Sequence, residues 1–118
     1  MEPYRHETMM MDDYDIVSDI IDTMMEVYEE YDGAKKYIKE AIAMKATDKA
    51  RAETLVQMSA QELGHGDLLS ASVNRMLEKA KAEGNPCYAV LAMVWHHIRQ
   101  RQAGYAAWIR TMHEQYKK

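Results

Sequence analysis

The sequence contains no phenylalanine and only one cysteine, Cys87. A single cysteine cannot form an intrachain disulfide, and it excludes a metal site built from several thiolates. The N-terminus lacks the apolar run of a signal peptide, and no stretch approaches the length of a membrane span. These absences predict a cytoplasmic protein without a membrane partner.

The chain also has fewer basic than acidic residues. The chain has 15 Lys and Arg residues against 19 Asp and Glu residues, which gives a net charge of −4. Proteins that bind nucleic acid usually carry a basic patch, and here the basic residues are interspersed with acidic ones. No nucleic-acid partner is therefore expected. A length of 118 residues suits one domain around one core.

The residues that are abundant are unusual. Eight tyrosines supply most of the aromatic bulk, and each brings a hydroxyl group that needs a hydrogen-bond partner when buried. Eleven methionines are more readily explained by adaptable core packing than by sulfur ligands.

The periodicity predicts an all-α fold with no strands. Residues 1–11 show no clear period and are expected to form a tail or an interaction arm, and 12–118 are expected to form a single helical domain. Thr47 or Asp48 can cap the second helix, Gly84 can end it, and Asn85 and Pro86 can begin the third. The helices are predicted at about 12–46, 48–83 and 86–117. Short connections favour a long antiparallel hairpin followed by a third helix.

Each predicted helix carries an apolar stripe. In the first helix the stripe is continuous, and in the second it is interrupted by Glu62 and His65. Two polar groups at buried positions must be paired, hydrogen-bonded or bound to a metal, because burying either one unsatisfied costs several kcal/mol. Residues at i and i+3 share one face of a helix and can reach a single ion. The stripes are Val17, Ile20, Met24, Val27, Tyr31, Ala34, Ile38 and Ala41 in the first helix, and Leu55, Met58, Leu69, Val73, Met76 and Ala80 in the second.

The third helix is apolar on more than one side. A helix that is apolar nearly all round is buried nearly all round, which three helices alone cannot achieve for one of their own. We therefore expect a homo-oligomer, a dimer or larger, whose interface uses this helix. Its main stripe is Tyr88, Leu91, Trp95, Ile98, Gln102, Tyr105, Ile109, Met112 and Tyr116, and its flanks carry Val90, Val94 and Trp108 on one side and Ala89, Met93, Ala103 and Ala107 on the other.

Counting residues from the first turn places Glu30 level with Glu62 and His65, within the usual boundary error. The same count from the second turn places residues of about 105–108, including Tyr105 and Trp108, opposite the pair. His96 and His97 fall about 11 Å from that level at a rise of 1.5 Å per residue. They are expected at the surface or at an interface, with His97 kept open as a ligand if an oligomer shifts the levels.

Glu30, Tyr37, Ala41, Glu62 and His65 together resemble the ferritin-like superfamily, particularly the helical pair of rubrerythrin-type and encapsulated-ferritin-type proteins. The resemblance covers about residues 20–80. It implies a four-helix bundle that holds two iron or manganese ions, with zinc as a common substitute. Glu30, Glu62 and His65 would be ligands, and Tyr37 would support them from outside the coordination shell.

The resemblance implies oxygen-dependent chemistry, such as a ferroxidase or another di-iron or di-manganese oxidoreductase. A complete site needs a second Glu and a second Glu-x-x-His, and the third helix contains neither. Encapsulated-ferritin-type proteins place two identical half-sites face to face across a dimer. Two copies of Glu30, Glu62 and His65 would likewise supply four carboxylates and two imidazoles, so the bundle is expected to be completed by oligomerisation.

Two other interpretations remain open. One is a metal-free helical oligomer with a structural or interaction role, of the kind found in phages or mobile elements, in which Glu62 and His65 are a hydrogen-bonded pair. The other is an adaptor that binds a partner through its methionine-rich N-terminal arm. His6 and His113 lie near the termini and are not expected at a site.

Overall fold

Three helices connected by short turns make up the computed structural model, which describes residues 3–118 and their side chains from residue 13 onward. The helices are α1 (Pro3–Met44), α2 (Lys49–Ala82) and α3 (Tyr88–Lys117), and the molecule measures 70 × 22 × 15 Å. The all-α prediction is confirmed. None of these helices is long and apolar enough to cross a membrane.

The start of α1 differs from the prediction, because the helix begins at Pro3 rather than near residue 12. Residues 1–2 and the side chains of residues 3–12 lie outside the described part of the chain. The predicted tail or interaction arm over residues 1–11 falls on this region, and its role stays a prediction.

Both turns use the residues expected of them. The Asp48 carboxylate accepts a hydrogen bond from the Arg51 backbone N–H at 3.1 Å, as an N-cap should. Gly84 adopts a φ of 70°, the left-handed conformation that ends helices and favours glycine. The Asn85 side chain accepts from the Cys87 N–H at 2.9 Å, and α3 begins at Tyr88 rather than at Pro86.

The predicted stripe of α1 is confirmed. Its buried residues follow the helical period and contact α2 along most of their common length. Val17 packs against them but is only partly buried. The buried residues are Ile20, Met24, Val27, Tyr31, Ala34, Ile38 and Ala41.

The stripe of α2 lies partly on other residues than predicted. Ser59 and Gly66 are buried where the pattern pointed to Met58 and His65. Small residues allow α1 to come close, and Gly66 leaves room for the Tyr31 ring, which would lie 2.9 Å from a Cβ atom there. The buried residues are Ala52, Leu55, Ser59, Gly66, Val73, Leu77 and Ala80.

α3 packs less extensively on the hairpin than α1 and α2 pack on each other. Its predicted stripe is confirmed at Leu91, Trp95, Gln102 and Ile109, but Ala106 is buried in place of Tyr105. Much of its remaining apolar surface is exposed within one chain: Val90 is 62% exposed, Met93 61% and Val94 43%.

Candidate metal half-site on the open face of the hairpin

The structure brings Glu30, Glu62 and His65 together, as the residue count predicted. His65 Nδ1 lies 3.8 Å from Glu30 Oε2, across the gap between α1 and α2. Glu62 is one turn before His65 on α2, so its carboxyl group faces the same carboxylate of Glu30.

These three side chains lie on the side of the hairpin away from α3. On α1, Tyr28 and Lys35 line clefts together with Tyr105 of α3, and on α2 Asp67 pairs with Arg110 of α3. Glu30 is two residues from Tyr28, and His65 is two residues from Asp67. Two residues correspond to about 200° around a helix. We call the side of Glu30, Gly33, Glu62 and His65 the open face, and the side against which α3 packs the covered face.

His65 is not buried in the stripe, contrary to the expectation from its spacing. Its side chain is 61% exposed, whereas that of Glu30 is 26% exposed. The reason is the rotation of α2, which turns Ser59 and Gly66 toward α1 and leaves His65 at the edge of the open face. An exposed imidazole is free to bind something outside its own chain.

Glu30 is incompletely satisfied. Its Oε2 atom is buried and has no hydrogen-bond partner. The 3.8 Å separation from His65 is too long for a hydrogen bond. A buried carboxylate oxygen without a donor is costly, and a proton on Glu62 relieves this cost, as a bound cation would.

The neighbouring Glu30 carboxylate also changes the pKa of Glu62. Its pKa is raised to about 6, first because a proton on Glu62 forms a hydrogen bond with Glu30, then because of burial and repulsion from the Glu30 charge. His65 acts in the opposite direction and lowers this pKa. Two carboxyl groups that resist being ionised together form the electrostatic setting in which a bound cation is favoured.

Gly33 explains how Glu62 fits between the helices. A Cβ atom at position 33 would lie 3.0 Å from Glu62 Oε2, so glycine leaves the space that the carboxyl group uses. Four glycines lie in the middle of the helices, and they have different local reasons. Gly33 makes room for Glu62 and Gly66 for Tyr31, whereas a Cβ atom at Gly64 or Gly104 would meet nothing within 4 Å.

The donor set suits a metal but is incomplete in one chain. Carboxylate and imidazole ligands suit iron, manganese and zinc. Within the described residues, no group of three or more His, Cys, Asp or Glu side chains is arranged to hold a metal ion. The crowded carboxyl pair would fit a cation, and a complete shell around such an ion would need ligands beyond these three residues.

The other predicted site residues are found in different settings. Tyr37 is half-buried and packs against the core cluster that contains Ala34 and Ile38, and its supporting role stays a prediction. His96 and His97 are exposed on α3, with ring centroids 6.2 Å apart, and His96 Nε2 lies 3.1 Å from Gln100 Nε2.

α3 meets α2 at residues other than those predicted. At the level of the half-site, Leu63 lines a cleft with Arg110 and His113, whereas Tyr105 and Trp108 lie near Lys35 of α1. The prediction that residues of about 105–108 lie opposite the pair is therefore off by a few residues, close to the boundary error of such a count. Its error has two parts: a shift of a few residues along α3, and the placement of α3 on the covered face.

Two polar clusters on the covered face were missed by the sequence analysis. The Tyr31 hydroxyl donates to Asp67 Oδ1 at 2.5 Å, and Arg110 donates to Asp67 Oδ2 at 3.2 Å. Burial raises the pKa of Tyr31, the hydrogen bond to Asp67 raises it further, and the Arg110 charge lowers it. The one available signal was Gly66 on α2, which is required by the Tyr31 ring.

The second missed cluster contains His113. The Ser59 hydroxyl donates to the Ala34 carbonyl oxygen at 2.6 Å and lies 2.9 Å from His113 Nε2. Burial lowers the pKa of His113, with a further contribution from Lys117. This histidine, which is not expected at a site, connects the end of α3 to the hairpin.

In comparisons with protein-family models, with curated proteins and with solved structures, the chain matches none.

Proposed function

We propose that this chain is a ferritin-like metal-binding protein whose dinuclear site is completed by a second copy, with oxidation of Fe(II) by dioxygen or peroxide as its candidate activity. The observation that carries the proposal is the crowded pair of Glu30 and Glu62. The buried Glu30 Oε2 atom lacks a donor when both groups are ionised, and the pKa of Glu62 is raised to about 6. The ferritin-like character rests on the resemblance of the Glu30, Glu62 and His65 pattern.

The position of the half-site supports pairing between copies. α3 occupies the covered face and leaves Glu30, Glu62 and His65 on the open face, with His65 the most exposed. This pairing uses a different surface from the α3 interface that the sequence predicts. Two such faces placed together would bring four carboxylates and two imidazoles around a shared space, the ligand count of a di-iron carboxylate site. Pairing would also surround the exposed His65 imidazole and the buried Glu30 oxygen with ligands or protein.

The chain's own residues would have distinct roles. Glu30 and Glu62 would supply oxygen ligands, with Glu62 between the two ions, and His65 would supply a nitrogen ligand. A bound metal would provide redox chemistry that the side chains cannot. Binding would displace the proton favoured by the crowded carboxyl pair, so affinity should increase as the pH rises through about 6.

Elemental analysis of protein purified without chelator tests the proposal. We expect about one iron, manganese or zinc ion per chain, with a loss of most of it in Glu62→Ala and His65→Ala. His96→Ala is the matched control, because it removes an exposed histidine outside the half-site. Protein that stays metal-free, does not bind Fe(II) and does not consume oxygen with it would contradict the proposal.

A metal-free oligomer with a structural or interaction role is the second candidate. The exposed Val90, Met93 and Val94 of α3 favour it, because this apolar surface needs covering whether or not metal is bound. Light scattering with and without chelator separates the two candidates. An oligomer that persists unchanged in Glu62→Ala and never takes up metal supports the second, and a stable monomer contradicts both.

A further inference from the structure

A cleft of about 600 Å³ lies between α1 and α3, apart from the half-site. This volume falls in the range of roughly 300–1,000 Å³ that is typical of small-molecule sites. Cations, aromatic rings and one glycine line it, and no carboxylate does. The lining residues are Lys35, Lys39, Arg101, Gly104, Tyr105 and Trp108.

The cations of the cleft form no ion pair within the described side chains, and the carboxylate that lines an adjoining cleft with Lys35 is that of Asp32. Among side chains from residue 13 onward, Lys35, Lys39 and Arg101 form no ion pair, whereas the neighbouring Lys36 pairs with Asp32 at 3.0 Å. Three positive charges around one concave surface repel one another and attract anions. This concentration is notable in a protein whose net charge is −4.

The aromatic rings add a flat surface beside these charges. Lys35 Nζ lies over both rings, 4.8 Å from the centre of Tyr105 and 5.9 Å from that of Trp108, so a base stacks there only when this flexible side chain swings aside. Tyr105 is 36% exposed, so its ring is accessible from the cleft. Aromatic side chains of this kind stack on planar bases, and stacking is tolerant of which base is bound.

Gly104 has no structural explanation within the chain. A Cβ atom there would meet nothing within 4 Å, and glycine weakens the middle of a helix. The missing side chain leaves bare backbone at the cleft, between Arg101 and Trp108 on α3. A flat ligand approaching the helix closely would use this space.

We propose that the cleft binds a free nucleotide. Its base would stack on Trp108 and Tyr105 above Gly104, and its phosphates would contact Lys35, Lys39 and Arg101. A triphosphate matches three cations best, because each cation can then pair with one phosphate group. This site lies between α1 and α3, away from Glu30, Glu62 and His65, so it does not depend on the proposed metal function.

Calorimetric titration with ATP, tripolyphosphate and adenosine tests the proposal, together with the fluorescence of the two tryptophans. We expect ATP to bind roughly ten-fold or more tightly than tripolyphosphate, because stacking adds to the phosphate contacts. Adenosine should bind most weakly. Lys39→Ala and Arg101→Ala should each weaken ATP binding about ten-fold, the loss of one charge-assisted contact.

Two matched controls separate the cleft from overall charge. Lys36→Ala and Arg99→Ala remove the same charges from neighbouring positions that do not line the cleft. Both should leave ATP affinity within about two-fold of the original protein. Equal losses in Lys36→Ala and Lys39→Ala, or equal affinity for ATP and tripolyphosphate, would overturn the proposal.

Glycine substitutions test where the base lies. Gly104→Ala and Gly64→Ala both place a Cβ atom in open space, so both variants should fold and unfold a few degrees higher. Only Gly104→Ala should weaken ATP binding, and it should leave tripolyphosphate binding unchanged. No difference between the two variants would show that no base stacks there.

Two further results would assign the cleft to another occupant and overturn the proposal. In the first, ATP does not bind, and Arg101→Ala changes the molar mass of the protein measured by light scattering. The cleft would then be an interface between copies. The other is a single-stranded oligonucleotide that binds more tightly than ATP and loses affinity in the same variants.

Discussion

On the covered face of the hairpin, two polar clusters hold α3 in place through Tyr31, Asp67 and Arg110, and through Ser59 and His113. On the open face, Glu30 keeps a buried oxygen without a partner and crowds Glu62. A polar group that serves the fold is hydrogen-bonded to its neighbours within the chain. Among the described side chains, buried atoms of Asn85, Gln102 and Tyr116 also lack a partner. The Glu30 oxygen differs from them in lying beside a second carboxyl group, whose pKa it raises.

The largest expected effect comes from comparing alanine substitutions at two neighbouring residues, Tyr31 on the covered face and Glu30 on the open face. Tyr31→Ala should lower the free energy of unfolding by about 3–5 kcal/mol, because it removes a buried aromatic ring and leaves Asp67 with one partner fewer. Glu30→Ala should change it by less than about 1 kcal/mol, or raise it, because it relieves the crowding of Glu62. Urea unfolding at pH 7 with chelator, at one protein concentration, measures both.

A cost of Glu30→Ala as large as that of Tyr31→Ala would break the comparison. Glu30 would then be part of the structural framework rather than an incomplete ligand.

Substituting the two glycines that are packed against side chains, Gly33 and Gly66, should change the free energy of unfolding by less. The two changes should have opposite signs. Gly66→Ala should destabilise by about 1–2 kcal/mol, because the Tyr31 ring, 2.9 Å from the new Cβ atom, must move within a packed core. Gly33→Ala should be neutral or stabilising by up to about 1 kcal/mol, because the Glu62 carboxyl group can swing toward solvent.

The same denaturation experiment measures these two variants, and Gly64→Ala serves as the control for helix propensity alone. Gly33→Ala should also reduce metal binding, since it displaces Glu62. Full metal binding in a stable Gly33→Ala variant would show that the position of Glu62 beside Gly33 is not required.

The pH dependence of stability should be the smallest effect, and its sign should differ between the faces. The pKa of Glu62 is raised from 4.5 to about 6, so its contribution is present below pH 4.5 and is lost as the pH rises through 6. We expect no more than about 1 kcal/mol, because solvent screens this half-exposed group. The pKa of His113 is lowered from 6.5, so its contribution is present above pH 6.5 and is lost as the pH falls.

Glu62→Gln should remove the loss of stability between pH 4.5 and 6, and His113→Gln should reduce the loss below pH 6.5. Urea unfolding from pH 4.5 to 8 in the presence of chelator measures each slope against the original protein. Slopes that stay unchanged in both variants would mean that neither group carries the pH dependence.

Local regularities made part of the structure predictable. The stripe of α1, the cap at Asp48 and the stop at Gly84 follow from residue preferences that act within one or two turns. The level of Glu30 beside Glu62 and His65 follows from a constant rise per residue on both sides of a short turn. Axial position along a hairpin therefore needs no knowledge of side-chain packing.

Rotation about the helix axis was less predictable. A pattern of large apolar residues favoured Met58 for the buried stripe, but Ser59 and Gly66 are buried instead. Whether a small residue is favoured at a buried position depends on the group that faces it. Ser59 faces the Ala34 carbonyl group, and Gly66 faces the Tyr31 ring. The nearest neighbours in sequence carry no information about such contacts.

The amino-acid sequence by itself determined three helices, their turns and the height at which Glu30, Glu62 and His65 meet, because these depend on short-range geometry. Only the tertiary structure decided which side of the hairpin α3 covers and how far α2 is rotated, because these depend on contacts between residues far apart in the chain. That choice leaves Glu30, Glu62 and His65 on the open face of the hairpin rather than under α3.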